Sequence, residues 1–208
     1  MKLKKFNEFM LLTDKEIDNI FYEAKTYILE NNLVENDYHN NEHMINVFNN
    51  AMVLFNHYKD EYKLPPYHKL VLGLASLFHD FNHSGGKLKD SENIELALVA
   101  LKEFLVIINK SDLYDDIKNI IIATEFPHLD IDLDILQKII RDADTMGGII
   151  EGWKSVVTNL ASEYNKSIEE FIPTQIKFLD TVKFNTDYCN DLLKNNKEKI
   201  IEELTKMV

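Results

Sequence analysis

Hydrophobic positions recur along almost the whole chain at intervals of three and four residues, the spacing that lines one face of an α-helix. Thr13-Asp14-Lys15-Glu16 forms a capping box, and Ile17, Ile20, Phe21, Ala24 and Ile28 follow it as one apolar stripe. Met44, Val47, Phe48, Ala51, Phe55 and Tyr58 repeat the pattern. Pro65-Pro66 stops the chain, and Leu70 to Phe78 is then apolar on all sides, as a central buried helix must be. Ile94, Ala97, Leu98, Leu101 and Leu105 mark a fourth helix after a Ser-Glu start. Further stripes begin near Leu113, Leu133, Ile149 and Ile168, and the last runs from about Leu192 to Leu204. Strand-like alternation occurs only over Leu129 to Leu133, a stretch too short and acidic to build a sheet. The pattern predicts an all-α bundle of roughly eight to ten helices. With no linker, low-complexity segment or internal repeat, residues 1–208 are expected to form a single domain.

The 208 residues, 45% hydrophobic and 28% charged, suit a globular chain with a sizeable core. There are 23 basic and 35 acidic side chains, a net charge of −12. A field of that sign repels polyanions, which argues against long nucleic acids and anionic membrane surfaces as partners. A small phosphorylated substrate remains compatible if something locally positive, such as metal ions, receives it. The longest uncharged apolar run, Leu70 to Phe78, is too short to span a membrane. Asn7 and Glu8 interrupt any signal-peptide apolar region. The one cysteine, Cys189, excludes an intrachain disulfide and any cysteine-rich zinc module, and it reads as a small buried hydrophobe. A reduced, cytoplasmic setting is the expectation.

The histidines change the picture. His39/His43 and His79/His83 are each four residues apart, so each pair shares a face if helical. His79 is followed by Asp80, and a later acidic pair, Asp142 and Asp144, precedes Gly147-Gly148. Two imidazoles and two carboxylates, with no thiolate, suit a borderline or hard divalent cation. A His-Asp dipeptide alone is weak evidence: 7 His and 17 Asp supply roughly half of one by chance. A further His three places on lowers that to about one in fifty. His57 and His68 have no such company and read as ordinary hydrogen-bonded residues. Trp153 reads as core, on a stripe with Val156, Val157 and Leu160.

Tyr38-His-Asn-Asn-Glu-His43, His79-Asp-Phe-Asn-His83-Ser-Gly and Ala143-Asp144 resemble the HD metal-dependent phosphohydrolase superfamily. Within it they most resemble the class I 3′,5′-cyclic nucleotide phosphodiesterases, whose motifs run Tyr-His-Asn-x-x-His and His-Asp-x-x-His-x-Gly. Ser91-Glu92-Asn93, Ile122-Ala-Thr124-Glu125 and Thr174-Gln175-Ile-Lys-Phe178-Leu-Asp180 follow in the order of that family's later motifs. The resemblance covers residues 38 to 180, and the order of six short pieces is its most specific feature. The chain departs from the family at Asn46 and Asn82, where acidic residues are usual, at Ser84, where proline is common, and after Asp144.

The resemblance implies a multi-helix bundle of the HD type holding two divalent ions. His43, His79, Asp80 and Asp144 would bind the tighter one, zinc or another transition metal such as manganese or iron. Asp80 would bridge to a second, magnesium or manganese, with His83, Glu92 and Thr124 holding its waters. Two adjacent cations polarise a phosphodiester and supply hydroxide for in-line attack. His39 would be the general acid, since an imidazole exchanges protons near neutral pH. Tyr38, Gln175 and Phe178 would line the substrate pocket, the amide bonding a base edge and the ring stacking on its face. The implied activity is metal-dependent hydrolysis of a cyclic nucleotide, a mononucleotide or an oligonucleotide signal. The alternative is an HD phosphohydrolase acting on nucleoside monophosphates or another phosphoester. A scaffold without chemistry would not require His39, His43, His79, Asp80 and Asp144 together. The residues leave open whether the base is adenine or guanine, and whether Asp142 or Asp144 is the late ligand, with Ala-Asp favouring Asp144. The C-terminal apolar stripe could close the bundle or pair with another chain.

Overall fold

Helix boundaries follow local chemistry. The computed structural model describes residues 12–128 and 132–207, and all its regular structure is helical. Helix α1 is Asp14–Asn31, capped by Thr13, whose hydroxyl accepts the Glu16 N–H while the Glu16 carboxylate accepts the Thr13 N–H. Asn40 caps α2 (Asn41–Tyr58) by accepting the N–H groups of Glu42 and His43 at 2.9 and 3.1 Å. Pro66 opens α3 (Pro66–Phe78), where its missing N–H is no loss. Then come α4 (Asp90–Ile107), α5 (Tyr114–Ile122) and α6 (Ile135–Thr145), the last capped by Asp134 with Gln137 reciprocating. Helices α7 (Trp153–Glu163), α8 (Ile168–Thr181) and α9 (Asp187–Thr205) complete the set, with 3-10 turns at Ser111–Leu113 and Met146–Ile149.

The helix with no polar face is the axis of the bundle. Leu70, Leu72, Leu74, Ala75, Leu77 and Phe78 of α3 are wholly buried, and α1, α2, α5 and α6 pack around them. Gly73 lets α1 approach: a Cβ there would lie 2.4 Å from Phe21 Cζ. Phe21 in turn meets Phe48 of α2 edge to face, centroids 4.9 Å apart. The all-α expectation holds for the described residues, which contain nine α-helices. Residues 129–131 of the strand-like stretch, and the N-terminal residues read against a signal peptide, lie outside the described residues.

Two boundaries differ from the periodicity. The stripe expected from Ile149 begins a helix only at Trp153, because Gly152 turns the chain at φ +92° after the 3-10 turn. The last helix starts at Asp187, ahead of its apolar stripe, because the Thr186 side chain caps it. Ile200 and Leu204 of α9 are buried, and Leu192, Leu193 and Ile201 pack partly buried against the core, so the stripe closes the bundle. Trp153 and Cys189 are core residues, and burial pushes the Cys189 thiol up to about 12. Among the described residues no helix is long and apolar enough to cross a membrane.

Candidate metal centre and adjoining cavity

Three separate stretches converge on one point. His43 sits in the first turn of α2, held by the Asn40 cap. His79 ends α3, and its ring Nδ1 lies 2.9 Å from the Ser76 carbonyl, which directs Nε2 away from the helix. Asp80 follows it, and Asp144 lies near the end of α6. His43 Nε2 lies 3.2 Å from Asp80 Oδ2 and 3.1 Å from Asp144 Oδ1. His79 Nε2 lies 3.3 and 3.5 Å from the same two oxygens.

Four ligand atoms therefore sit within 4.8 Å of one another, and they can hold a metal ion. Both buried Nε2 atoms lack a well-formed hydrogen bond despite those contacts. Buried polar atoms are normally satisfied, so lone pairs aimed at a shared point rather than at each other are what a cation requires. Burial opposes charge on His43 and His79, yet the two carboxylates overcome it and hold both imidazoles above their ordinary value, His79 furthest. Burial likewise opposes ionising Asp80 and Asp144, and the imidazoles hold both below the usual carboxylate range. Positive charge is being drawn to this point.

Beside the cluster is a cavity of about 390 Å³ whose wall includes Asp80 and Asp144 at one end and Gln175 and Phe178 at another. His39 lines it too. Its Nδ1 bonds Glu163 Oε1, while Glu163 Oε2 accepts the N–H groups of Tyr38 and His39, each at 2.9 Å. With Nδ1 so engaged, Nε2 is the nitrogen left for the cavity. Burial would raise the Glu163 carboxyl, but the bonds from His39 and Tyr38 hold it down to about 2. Burial and the nearby carboxylates push the Tyr38 phenol well above its usual value, leaving it a neutral O–H.

His83 stacks on His39 with centroids 3.9 Å apart. Burial lowers its ring to about 4, so it is neutral at physiological pH. Its nitrogens are engaged within the protein, Nδ1 by the Gly85 N–H at 3.2 Å and Nε2 by the Asn93 amide at 3.0 Å. The Asn36 amide ties the two histidine segments together, donating to His39 O and His83 O at 2.9 and 2.7 Å. At Asn82, where the resembled family is often acidic, φ is +60°, a conformation asparagine tolerates better than most residues.

Gln175 is buried, and its Nε2 has no hydrogen-bond partner. Phe178 is one turn further along α8, and both approach Gly148, where a Cβ would lie 3.3 Å from Gln175 Nε2. Thr124 lines the same cavity, its hydroxyl donating to Ile121 O. The structure thus brings Tyr38, His39, His43, His79, Asp80, His83, Thr124, Asp144, Gln175 and Phe178 around one site. It leaves Glu92 out of it: Glu92 is exposed, and its carboxylate accepts the Lys89 N–H at the start of α4. Its buried neighbour Asn93 faces the site instead.

The two late aspartates separate cleanly. Asp142 points away from the cluster and accepts bonds from Asn185 and Thr186, backbone and side chain, at 2.6–3.1 Å. Asp144 is the one at the cluster. His57 lies against Tyr188, 5.0 Å between centroids, and is not among the cluster residues. Glu163 and Asn36 have no sequence signal of their own, since an acidic or amide side chain in a helical or loop stretch is common without a role, whereas Asn93 belongs to the Ser91-Glu92-Asn93 piece. Compared with protein-family models, curated proteins and solved structures, the chain matches none.

Proposed function

We propose that the protein is a metal-dependent phosphodiesterase of the HD phosphohydrolase type that hydrolyses a nucleotide phosphodiester such as a cyclic nucleotide. One observation carries the reading: two carboxylates of a metal-fitting cluster, a buried, unpartnered glutamine amide and a carboxylate-held histidine line one cavity. His43, His79, Asp80 and Asp144 would hold a zinc-like ion, and Asp80 would be shared with a second, magnesium or manganese. Bound there, such ions would polarise the phosphodiester and lower the pKa of the attacking water.

The chain's own residues supply the rest. Glu163 fixes His39 with its Nδ1 proton in place, so that Nε2 delivers a proton to the departing ribose oxygen. The same contact fixes the plane and orientation of the ring, as a buried carboxylate does in other acid–base pairs. The neutral Tyr38 O–H can donate to a phosphate oxygen but cannot repel it as a phenolate would. The unpaired Gln175 amide gives a base edge a hydrogen bond at no cost in broken protein contacts, and the Phe178 ring offers a stacking face. Ile94, Leu160 and Phe171 in the wall exclude water around the reacting groups.

The test is turnover with manganese or magnesium of cyclic AMP, cyclic GMP, cyclic dinucleotides and nucleoside monophosphates, beside an Asp80→Ala control. Metal-dependent loss of a cyclic substrate is expected, absent in the control together with bound metal. Phosphate release from monophosphates alone would replace the proposal with a phosphomonoesterase, and silence across the panel, with linear dinucleoside monophosphates added, would reject it.

A further inference from the structure

A second cavity, of about 280 Å³, reaches the same cluster at His43 and Asp144 but is not lined by His39. It runs between α2 and α7, and it shares Tyr38, Asp144 and Val156 with the first cavity. Its walls carry amides. Asn46, Asn49 and Asn50 share one face of α2, and Ser155 and Asn159 share one face of α7 opposite. Asn50 donates to Ala143 O at 3.1 Å, which leaves its side-chain oxygen for a ligand. Glu42 and Glu151 also line the cleft, and no lysine or arginine does.

We infer that this cleft is a second substrate subsite and that the substrate is an internucleoside phosphodiester, with one nucleoside in each cavity. The inference rests on the phosphodiesterase reading and names its substrate class. A 3′,5′-cyclic mononucleotide has both ester oxygens on one ribose, so it fills the first cavity and puts nothing in the amide cleft. That first cavity, near the low end of the ~300–1,000 Å³ of small-molecule sites, has room for one nucleoside rather than two. A diester joining two nucleosides needs a pocket on either side of its phosphate. The amides and hydroxyl of the second cleft match ribose hydroxyls and base edges, groups that both donate and accept. Its two glutamates, with no lysine or arginine in the walls, oppose a further phosphate there. A linear dinucleoside monophosphate and a cyclic dinucleotide share the required linkage, and only the second brings that extra phosphate.

The step balances as a hydrolysis. A water oxygen bonds to phosphorus, one of its protons passing to solvent and the other staying on the new phosphate, and the bond from phosphorus to the ester oxygen of the nucleoside in the His39 cavity breaks. That oxygen keeps the electron pair and takes the His39 Nε2 proton, so this nucleoside leaves phosphate-free. The nucleoside in the amide cleft retains the phosphate.

The experiment measures kcat/KM with manganese for linear dinucleoside monophosphates of adenosine and guanosine, the matching cyclic dinucleotides, cyclic AMP, cyclic GMP and the nucleoside monophosphates. Wild type is compared with Asn46→Ala and Asn159→Ala. The linear dinucleoside monophosphate is expected to lead the cyclic mononucleotide by tenfold or more, with the cyclic dinucleotide between. Each substitution is expected to lower the ratio of dinucleoside to cyclic mononucleotide kcat/KM by about tenfold through KM, the worth of one lost hydrogen bond. Preference for the cyclic mononucleotide, or a ratio unmoved by both substitutions, overturns the second subsite and leaves the phosphodiesterase intact. Turnover of monophosphates alone, or of nothing, overturns both.

Discussion

The Glu163 carboxylate binds three donors, the N–H groups of Tyr38 and His39 and the His39 ring, across more than 120 residues of chain. Those bonds outweigh burial and hold it at about 2, against an ordinary 4.5. Because the folded value is the lower one, the contact adds stability above pH 4.5 and loses it as pH falls toward 2. Thermal unfolding from pH 5 to pH 2.5 should therefore show wild type losing its advantage over Glu163→Gln as acid is added. Parallel curves would mean that no ionised Glu163 is linked to folding. Under the proposed phosphodiesterase reading, the same variant at neutral pH should lower kcat more than it raises KM, since it would misplace the proton donor rather than the substrate. The histidines and Asp80 were legible because spacing of four and adjacency are local properties. Glu163 was not, because its partner is brought to it only by the packing of α7 against the 38–39 segment. Glu92 shows another case: its carboxylate accepts the N–H of Lys89, three residues earlier, a helix cap that is itself a local pattern.

At the scale of elements, α1 lies close against α3 at Gly73. Gly73→Ala would place a Cβ 2.4 Å from Phe21 Cζ and 3.1 Å from Phe48 Cε2, both in a packed core. A loss of about 1–3 kcal/mol is expected in urea unfolding, recovered in part when Phe21→Leu is added to make room. Full stability of the single variant would mean that α1 shifts freely. Helix α6 answers a question its sequence left open. Two residues along a helix turn roughly 200°, so Asp142 and Asp144 must face opposite ways. Which faces the ligands depends on what lies on each side: Asn185 and Thr186 on one, His43 and His79 on the other. The apolar stripes predicted the helices well because burial of one face is what each helix needs. Their ends were less legible where a glycine or a cap, as at Gly152 and Thr186, outranked the stripe.

For the whole molecule, the ligand set joins the start of α2, the end of α3 and the end of α6, so an ion there would staple three elements of the bundle. Adding manganese or zinc should raise the melting temperature, by about 2.7 kcal/mol of stability at a hundred times Kd. Because the carboxylates hold His43 and His79 above their ordinary values, binding at pH 7 should also release protons, and affinity should fall with pH. Calorimetry in two buffers of different ionisation enthalpy measures that release; no melting shift and no released proton would remove the metal site. The sequence by itself determined the helical class, the central helix and the candidate ligands, since periodicity and spacing are written within a few residues of each other. Tertiary structure alone decided which aspartate joins the cluster, that Glu163 holds His39, and that two cavities meet at one point. Those depend on contacts between residues far apart in the chain, whose proximity follows from how the helices pack and not from any local pattern.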